Sequence, residues 1–184
     1  MVFKTLLIGS LLLLPASAQS HPASAQSHPG TAGTAATRPG VLQSTELQTL
    51  VPATVFFSGQ TATVQLRNSG GVRGDDGKLT LVALVDAGGY SSGLKEKYQF
   101  YLLTDTPIEI DGKRLSPGAY GGGFLSGTGL EVMDLGGNEL FHGPVQHDAG
   151  MTRPRPLQVV AGSAPGESRL YLGRDYVVFR QIKP

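Results

Sequence analysis

Ile108-Glu109-Ile110-Asp111-Gly112-Lys113-Arg114-Leu115 is the stretch that decides the fold class. Its centre, Asp-Gly, suits a type I′ hairpin turn, which needs positive φ at both central residues. Gly adopts that conformation freely and Asp tolerates it. The apolar-polar-apolar run before the turn and Leu115 after it fit two short antiparallel strands. Ser116-Pro117-Gly118 follows at once as a second turn.

The same punctuation extends in both directions. Towards the C-terminus, residues 119–125 and 130–135 read as a hairpin across Ser126-Gly127-Thr128-Gly129. Strands at 156–161, 169–172 and 176–182 follow, the last two joined over Gly173-Arg174-Asp175. Towards the N-terminus, residues 54–57 form one run, and 61–67 alternates with Ala62, Val64 and Leu66 on one face. Asn68-Ser69-Gly70-Gly71 reads as its closing turn. Residues 78–85 alternate less, which predicts that both faces are covered. The segment 98–103 fits a helical stripe (Leu94, Tyr98, Tyr101, Leu102) and a strand face (Tyr98, Phe100, Leu102); we read it as a strand from Tyr98 onward. One short helix precedes all of these. Thr45 and Gln48 stand in capping-box spacing, Glu46 suits the positive helix start, and Pro52 ends the element. About nine strands with turns every eight to twelve residues predict a single all-β, antiparallel sandwich or barrel-like domain over 41–184.

Residues 107–121 are Pro-Ile-Glu-Ile-Asp-Gly-Lys-Arg-Leu-Ser-Pro-Gly-Ala-Tyr-Gly. This segment resembles the pattern apolar-x-apolar-x-G-K-x-L-x-P-G-x-Y of secreted bacterial β-sandwich domains of uncharacterised function. The resemblance covers under a tenth of the chain. It implies a small exported β domain and brings no catalytic residue with it.

Lys4, a mostly apolar run over 5–14, Pro15 and Ala16-Ser17-Ala18 make the three-part layout of a secretory signal peptide, with cleavage expected after Ala18. A bilayer-spanning helix needs about 20 apolar residues, so this run is too short to anchor the chain. Ala-Ser-Ala-Gln-Ser-His-Pro occupies 16–22 and again 23–29, which duplicates the cleavage signal. The rest of 19–40 is dominated by Gly, Ala, Thr and Pro and has little to bury against its ordering entropy, so a disordered leader is predicted. His21 and His28 fall inside the duplication and read as copied spacer.

Composition then removes whole classes of function. Fifteen basic and 14 acidic side chains nearly cancel, leaving no electrostatic footprint for nucleic acid and no polybasic patch for an anionic membrane. Losing residues 1–18 takes only Lys4, so a processed chain carries 14 of each sign. Zero Cys excludes disulfides, thiolate metal sites and Cys nucleophiles. Glycine, at 26 of 184 residues, is roughly twice its usual share.

Four local patterns could carry chemistry. Gly89-Tyr90-Ser91-Ser92-Gly93 spells G-x-S-x-G, and Asp134 and His142 follow in the Ser…Asp…His order of α/β-hydrolases. That reading makes Ser91 the nucleophile, His142 its base and Asp134 the orienter. Against it stand the sandwich pattern and the lack of an upstream HGGG-like oxyanion segment, so we read a Gly-Ser loop. His142 and His147, with Asp148, offer imidazoles to zinc or copper, but a spacing of five fits neither a helix face nor a strand face. Gly143, Pro144 and Gly150 make this segment a loop. The glycines at 121–123, 127 and 129 lack the Lys of a Walker loop and the spacing of a dinucleotide loop, which leaves close backbone approach as their role. Asp75-Asp76 are adjacent, not opposed as a glycosidase pair requires. Tyr90, Tyr120 and Phe124 could stack on a ligand, though core positions use such rings more often. The leading expectation is therefore an exported, non-catalytic binding or envelope-associated β domain. It would need no cofactor, and its partner would be a small molecule or an envelope or extracellular protein. The alternative is a small secreted serine hydrolase.

Overall fold

The computed structural model describes residues 38–183, so the expected signal peptide and almost all of the expected leader lie outside the described residues. In chain order the elements are β1 (Gly40–Val41), α1 (Ser44–Leu50), β2 (Thr54–Phe57), β3 (Gln60–Arg73), β4 (Leu79–Val85), α2 (Ser92–Lys97) and β5 (Phe100–Thr104). Then come β6 (Ile108–Ile110), β7 (Lys113–Leu115), β8 (Gly118–Leu125), β9 (Gly129–Met133), β10 (Glu139–Gly143) and β11 (Gln146–His147). The last three are β12 (Arg155–Ala161), β13 (Glu167–Gly173) and β14 (Asp175–Gln181). All pairings are antiparallel. An eight-stranded sheet runs β1-β3-β4-β5-β8-β9-β10 with β2 paired to β3, and a six-stranded sheet runs β12-β13-β14-β6-β7 with β11 paired to β14.

The Asp-Gly hairpin forms as its sequence requires. Ile110 pairs with Lys113, and Asp111 and Gly112 take φ of 47° and 74°. Alternation then builds the core. Val82, Phe100, Leu102, Leu130 and Val132 of the larger sheet meet Ile108, Ile110, Leu157, Val159, Leu170, Val177 and Phe179 of the smaller one. Each fully buried side chain of this size contributes roughly 1.5–3 kcal/mol, so the interior between the sheets carries the fold.

The outer face of the larger sheet is covered too, which explains the weak alternation of β4. Leu81 and Ala83 pack under α1 with Leu42, Leu47 and Val51. Val85 joins Val55, Phe57, Tyr90, Tyr98 and Met133 beneath β2 and the β4–β5 connection. Gly121 of β8 makes room here: a Cβ on it would stand 2.8 Å from Phe57 Cζ and 2.9 Å from Tyr98 Cδ2.

The all-β sandwich stands as expected, and the structure refines it in five places. First, β3 does not close at Asn68-Ser69-Gly70-Gly71 but runs through them, with a register shift between Gln65 and Ser69. Gly70 is needed for close packing rather than a turn, since a Cβ there would lie 2.7 Å from the Val159 nitrogen. Second, α1 is capped two residues earlier than Thr45 and Gln48 suggest: the Glu46 carboxylate accepts from the Gln43 N–H at 3.0 Å. Third, a second helix, α2, precedes β5, so the Leu94 end of the ambiguous segment is helical and the strand starts at Phe100. Fourth, the segment read as a His-bearing loop contains two strands, β10 and β11. These, with the two-residue β1 and the bulges, raise the strand total among the described residues above nine. Fifth, β1 begins inside the expected leader, at Gly40.

Candidate functional site

A groove of about 740 Å³ lies at one end of the sandwich. It opens where the β3–β4, β5–β6 and β12–β13 connections meet the end of β14. One wall is the sheet edge, Gly40 and Val41 of β1 with Val72 and Arg73 of β3. The other is the β12–β13 turn, including Pro165 and Glu167, and Thr106, Ser168 and Ile182 also line it.

A buried polar network fixes this end. The Thr80 and Thr104 hydroxyls lie 3.0 Å apart, and Thr104 Oγ1 donates to the Thr106 carbonyl at 2.7 Å. Gln181 Nε2 donates to Thr80 Oγ1 at 2.9 Å, and Thr106 Oγ1 donates to the Ile182 carbonyl at 3.3 Å. These bonds tie β14 of one sheet to β4 and β5 of the other. A buried hydroxyl left unpaired costs about 1–3 kcal/mol, so the network holds both sheets in register around the groove.

Arg73 is the charged residue embedded in the wall, with 9% of its surface exposed. Its Nη2 donates to Glu46 Oε1 at 3.0 Å. The other Glu46 oxygen is already taken by the Gln43 N–H, and the pair is therefore single-pronged. Arg73 Nε is buried with no acceptor. The Gln43 N–H, then the Arg73 guanidinium, hold the Glu46 carboxyl below its usual range. Asp75 and Asp76 stand on the rim, with Asp76 Oδ1 accepting from the Lys78 N–H at 3.0 Å. Opposite them, Glu167 Oε2 accepts from the Ala164 N–H at 3.2 Å.

The residues singled out by motif lie elsewhere. Ser91 does stand between a strand and a helix, as the N-cap of α2. Its φ of −60° and ψ of 154° are ordinary extended backbone, and its side chain makes no capping bond. Asp134 lies in the β9–β10 turn and accepts from the Gly136 N–H at 2.8 Å, the Asn138 N–H at 2.9 Å and the Asn138 side-chain amide at 3.0 Å. These bonds, Asn138 foremost, lower its pKa. His142 is on β10 with Nδ1 2.9 Å from Glu139 Oε1. Among the described residues no hydrogen bond joins Ser91, Asp134 and His142 to one another.

His147 sits on β11 of the smaller sheet, its Nδ1 2.6 Å from Asp175 Oδ1, whereas His142 belongs to the larger sheet. Among the described residues no group of three or more His, Asp or Glu side chains gathers where it could hold a metal ion. Tyr90 is buried, with its hydroxyl 3.0 Å from the Phe57 carbonyl and 3.1 Å from the Gln60 carbonyl. Tyr120 donates to the Ser116 carbonyl at 2.8 Å, and Phe124 packs edge-on to Phe100. The rings thus serve packing. The groove residues were missed because Arg73, Thr106, Ser168 and Gln181 share no local spacing; only Asp75-Asp76 gave a signal, and that signal reads as a turn. Compared with known proteins, the chain matches no family model, no curated protein and no solved structure.

Proposed function

We propose that this protein is an exported, non-catalytic binding module, and that its ligand sits in the groove between β1 and the β12–β13 turn. The groove itself carries this reading. Its volume, about 740 Å³, falls in the range of roughly 300–1,000 Å³ typical of ligand sites, and apolar Val41, Val72 and Ile182 alternate there with a few fixed polar groups. Export rests on the signal-like residues 1–18 with their duplicated A-x-A. The partner is a small molecule or an envelope or extracellular protein.

Amide NMR of the mature protein tests the binding arm, titrated with sugars, amino acids, peptides and envelope extracts. Shifts clustered on Val41, Val72, Thr106, Ser168 and Ile182 are expected with at least one of them. Shifts confined to another surface would overturn the assignment. Export has its own readout, because secreted material should start at Gln19 or Gln26 by intact mass. A full-length chain retaining Met1 would defeat that part.

A further inference from the structure

Resting on the reading of the groove as a binding site, we propose that its occupant is an extended peptide segment carrying Lys or Arg side chains, added as a strand along the free edge of β1.

Three observations converge on this. The first is backbone chemistry. Leu42 N–H donates to the Gly71 carbonyl at 2.9 Å, which makes Leu42–Gly71 a hydrogen-bonded pair. In an antiparallel ladder such pairs alternate with non-bonded ones, so Val41, opposite Val72, turns its N–H and C=O away from β3. β1 is the edge of the larger sheet, and among the described strands it pairs with β3 alone. An unpaired edge is a template for a further strand, and this one lines the groove.

The second is the buried donor. Arg73 Nε has no acceptor, and Glu46 meets the guanidinium through Nη2 alone. A peptide carbonyl arriving beside β1 would be the acceptor that this guanidinium lacks. A buried donor left unmet is costly, so satisfying it favours the occupied state.

The third is charge. With Arg73 balanced by Glu46, the groove presents Asp75, Asp76 and Glu167 against one ammonium, Lys183. Alternate side chains of an added strand point to opposite faces. Lys or Arg at such positions would reach the carboxylates on the rim. An acidic peptide would meet repulsion.

The test uses mature protein and fluorescein-labelled hexapeptides of alternating Thr and Lys, followed by anisotropy and amide NMR. Controls are the Thr/Glu hexapeptide and the Thr/Lys peptide N-methylated on alternate backbone nitrogens. We expect the basic peptide to bind and to shift Val41 and Arg73 amides, the acidic one to bind at least tenfold more weakly, and N-methylation to abolish binding. Asp75→Asn with Asp76→Asn should weaken the basic peptide roughly two- to thirtyfold, the combined effect of two exposed charges. Asn keeps the acceptor that Lys78 N–H uses, and thermal unfolding checks that the double variant folds. Equal binding of the N-methylated peptide, equal binding of the acidic one, or a concentration-dependent dimer that fills the groove would each overturn strand addition. If no peptide binds but a sugar or amino acid shifts the groove amides, strand addition fails while the binding-module reading survives. If nothing shifts those amides, both fail.

Discussion

The Phe57 and Tyr98 rings stack with centroids 3.8 Å apart and planes 13° from parallel, directly over the bare backbone of Gly121. Neither ring could lie there over a side chain, so the glycine and the aromatic pair specify one another across three strands of sequence separation.

Gly121→Ala is therefore expected to destabilise the domain by about 1–3 kcal/mol, the usual cost of an overpacked core. Phe57 and Tyr98 are both fully buried and have no room to retreat. Gly93→Ala is the matched control, because Gly93 lies in α2 with nothing within 4 Å of the added Cβ. It should stabilise by about 0.5–1 kcal/mol through helix propensity. Urea titrations of the two variants check both signs.

Much of this architecture is legible in sequence, and the failures have physical causes. The Asp111-Gly112 hairpin and the joints at 126–129 and 173–175 follow from turn chemistry, which acts over four residues and needs no tertiary partner. Gly70 and Gly71 misled because a glycine that bends the chain and one that admits a neighbouring strand look alike; only Val159 and Thr80, packed against them, tell the two apart. The β10 strand hid because Glu139, Leu140 and His142 are exposed and the pairing with β9 shifts register at its start. The groove was not legible at all. It is assembled from residues that only the crossing of the two sheets brings together.

Tyr98 and Tyr90 should answer oppositely to loss of their hydroxyls. Tyr98 Oη is buried without a partner, so Tyr98→Phe removes an unmet polar group and keeps the stack, raising stability by about 1 kcal/mol. In Tyr90→Phe the Phe57 and Gln60 carbonyls lose their donor, and a loss of about 1 kcal/mol is expected. For a domain of this size each kcal/mol moves Tm by roughly 2–4 °C, which calorimetry resolves.

Alkaline pH should unfold the protein earlier than its lack of Cys would suggest. Burial pushes the phenols of Tyr90, Tyr98, Tyr101, Tyr120 and Tyr171 above the ordinary value of 10.0. The Glu131 carboxylate does the same for the Lys97 ammonium. Above pH 10 the unfolded chain therefore binds fewer protons than the folded one. Stability is fully present below that pH and falls as pH rises through the folded-state values. Most of the tyrosinate absorbance followed from pH 8 to 12, that of these five phenols, should rise in one cooperative step that coincides with loss of the β circular-dichroism signal. A gradual rise beginning near pH 10 with the fold intact would contradict the burial argument.

Ester hydrolysis dependent on Ser91 is not expected. A Ser hydroxyl is a weak nucleophile unless a base stands within about 3 Å to take its proton. The carboxylate on His142 Nδ1 is that of Glu139, not of Asp134, which accepts instead from Asn138 and Gly136. Neither is hydrogen-bonded to Ser91, whose relaxed backbone also lacks the strain of a nucleophile elbow. His142 and Asp134 are each held by other partners, and a base not placed at the nucleophile forfeits most of the rate that orientation supplies. Activated esters of short and long acyl chain should be turned over no faster by the native protein than by Ser91→Ala or His142→Ala. Turnover that disappears in both variants, with circular dichroism unchanged, would restore the hydrolase reading and displace the binding module. Turnover that persists in both would belong to a different protein in the preparation, because no described Ser, His and Asp are joined by hydrogen bonds in this fold.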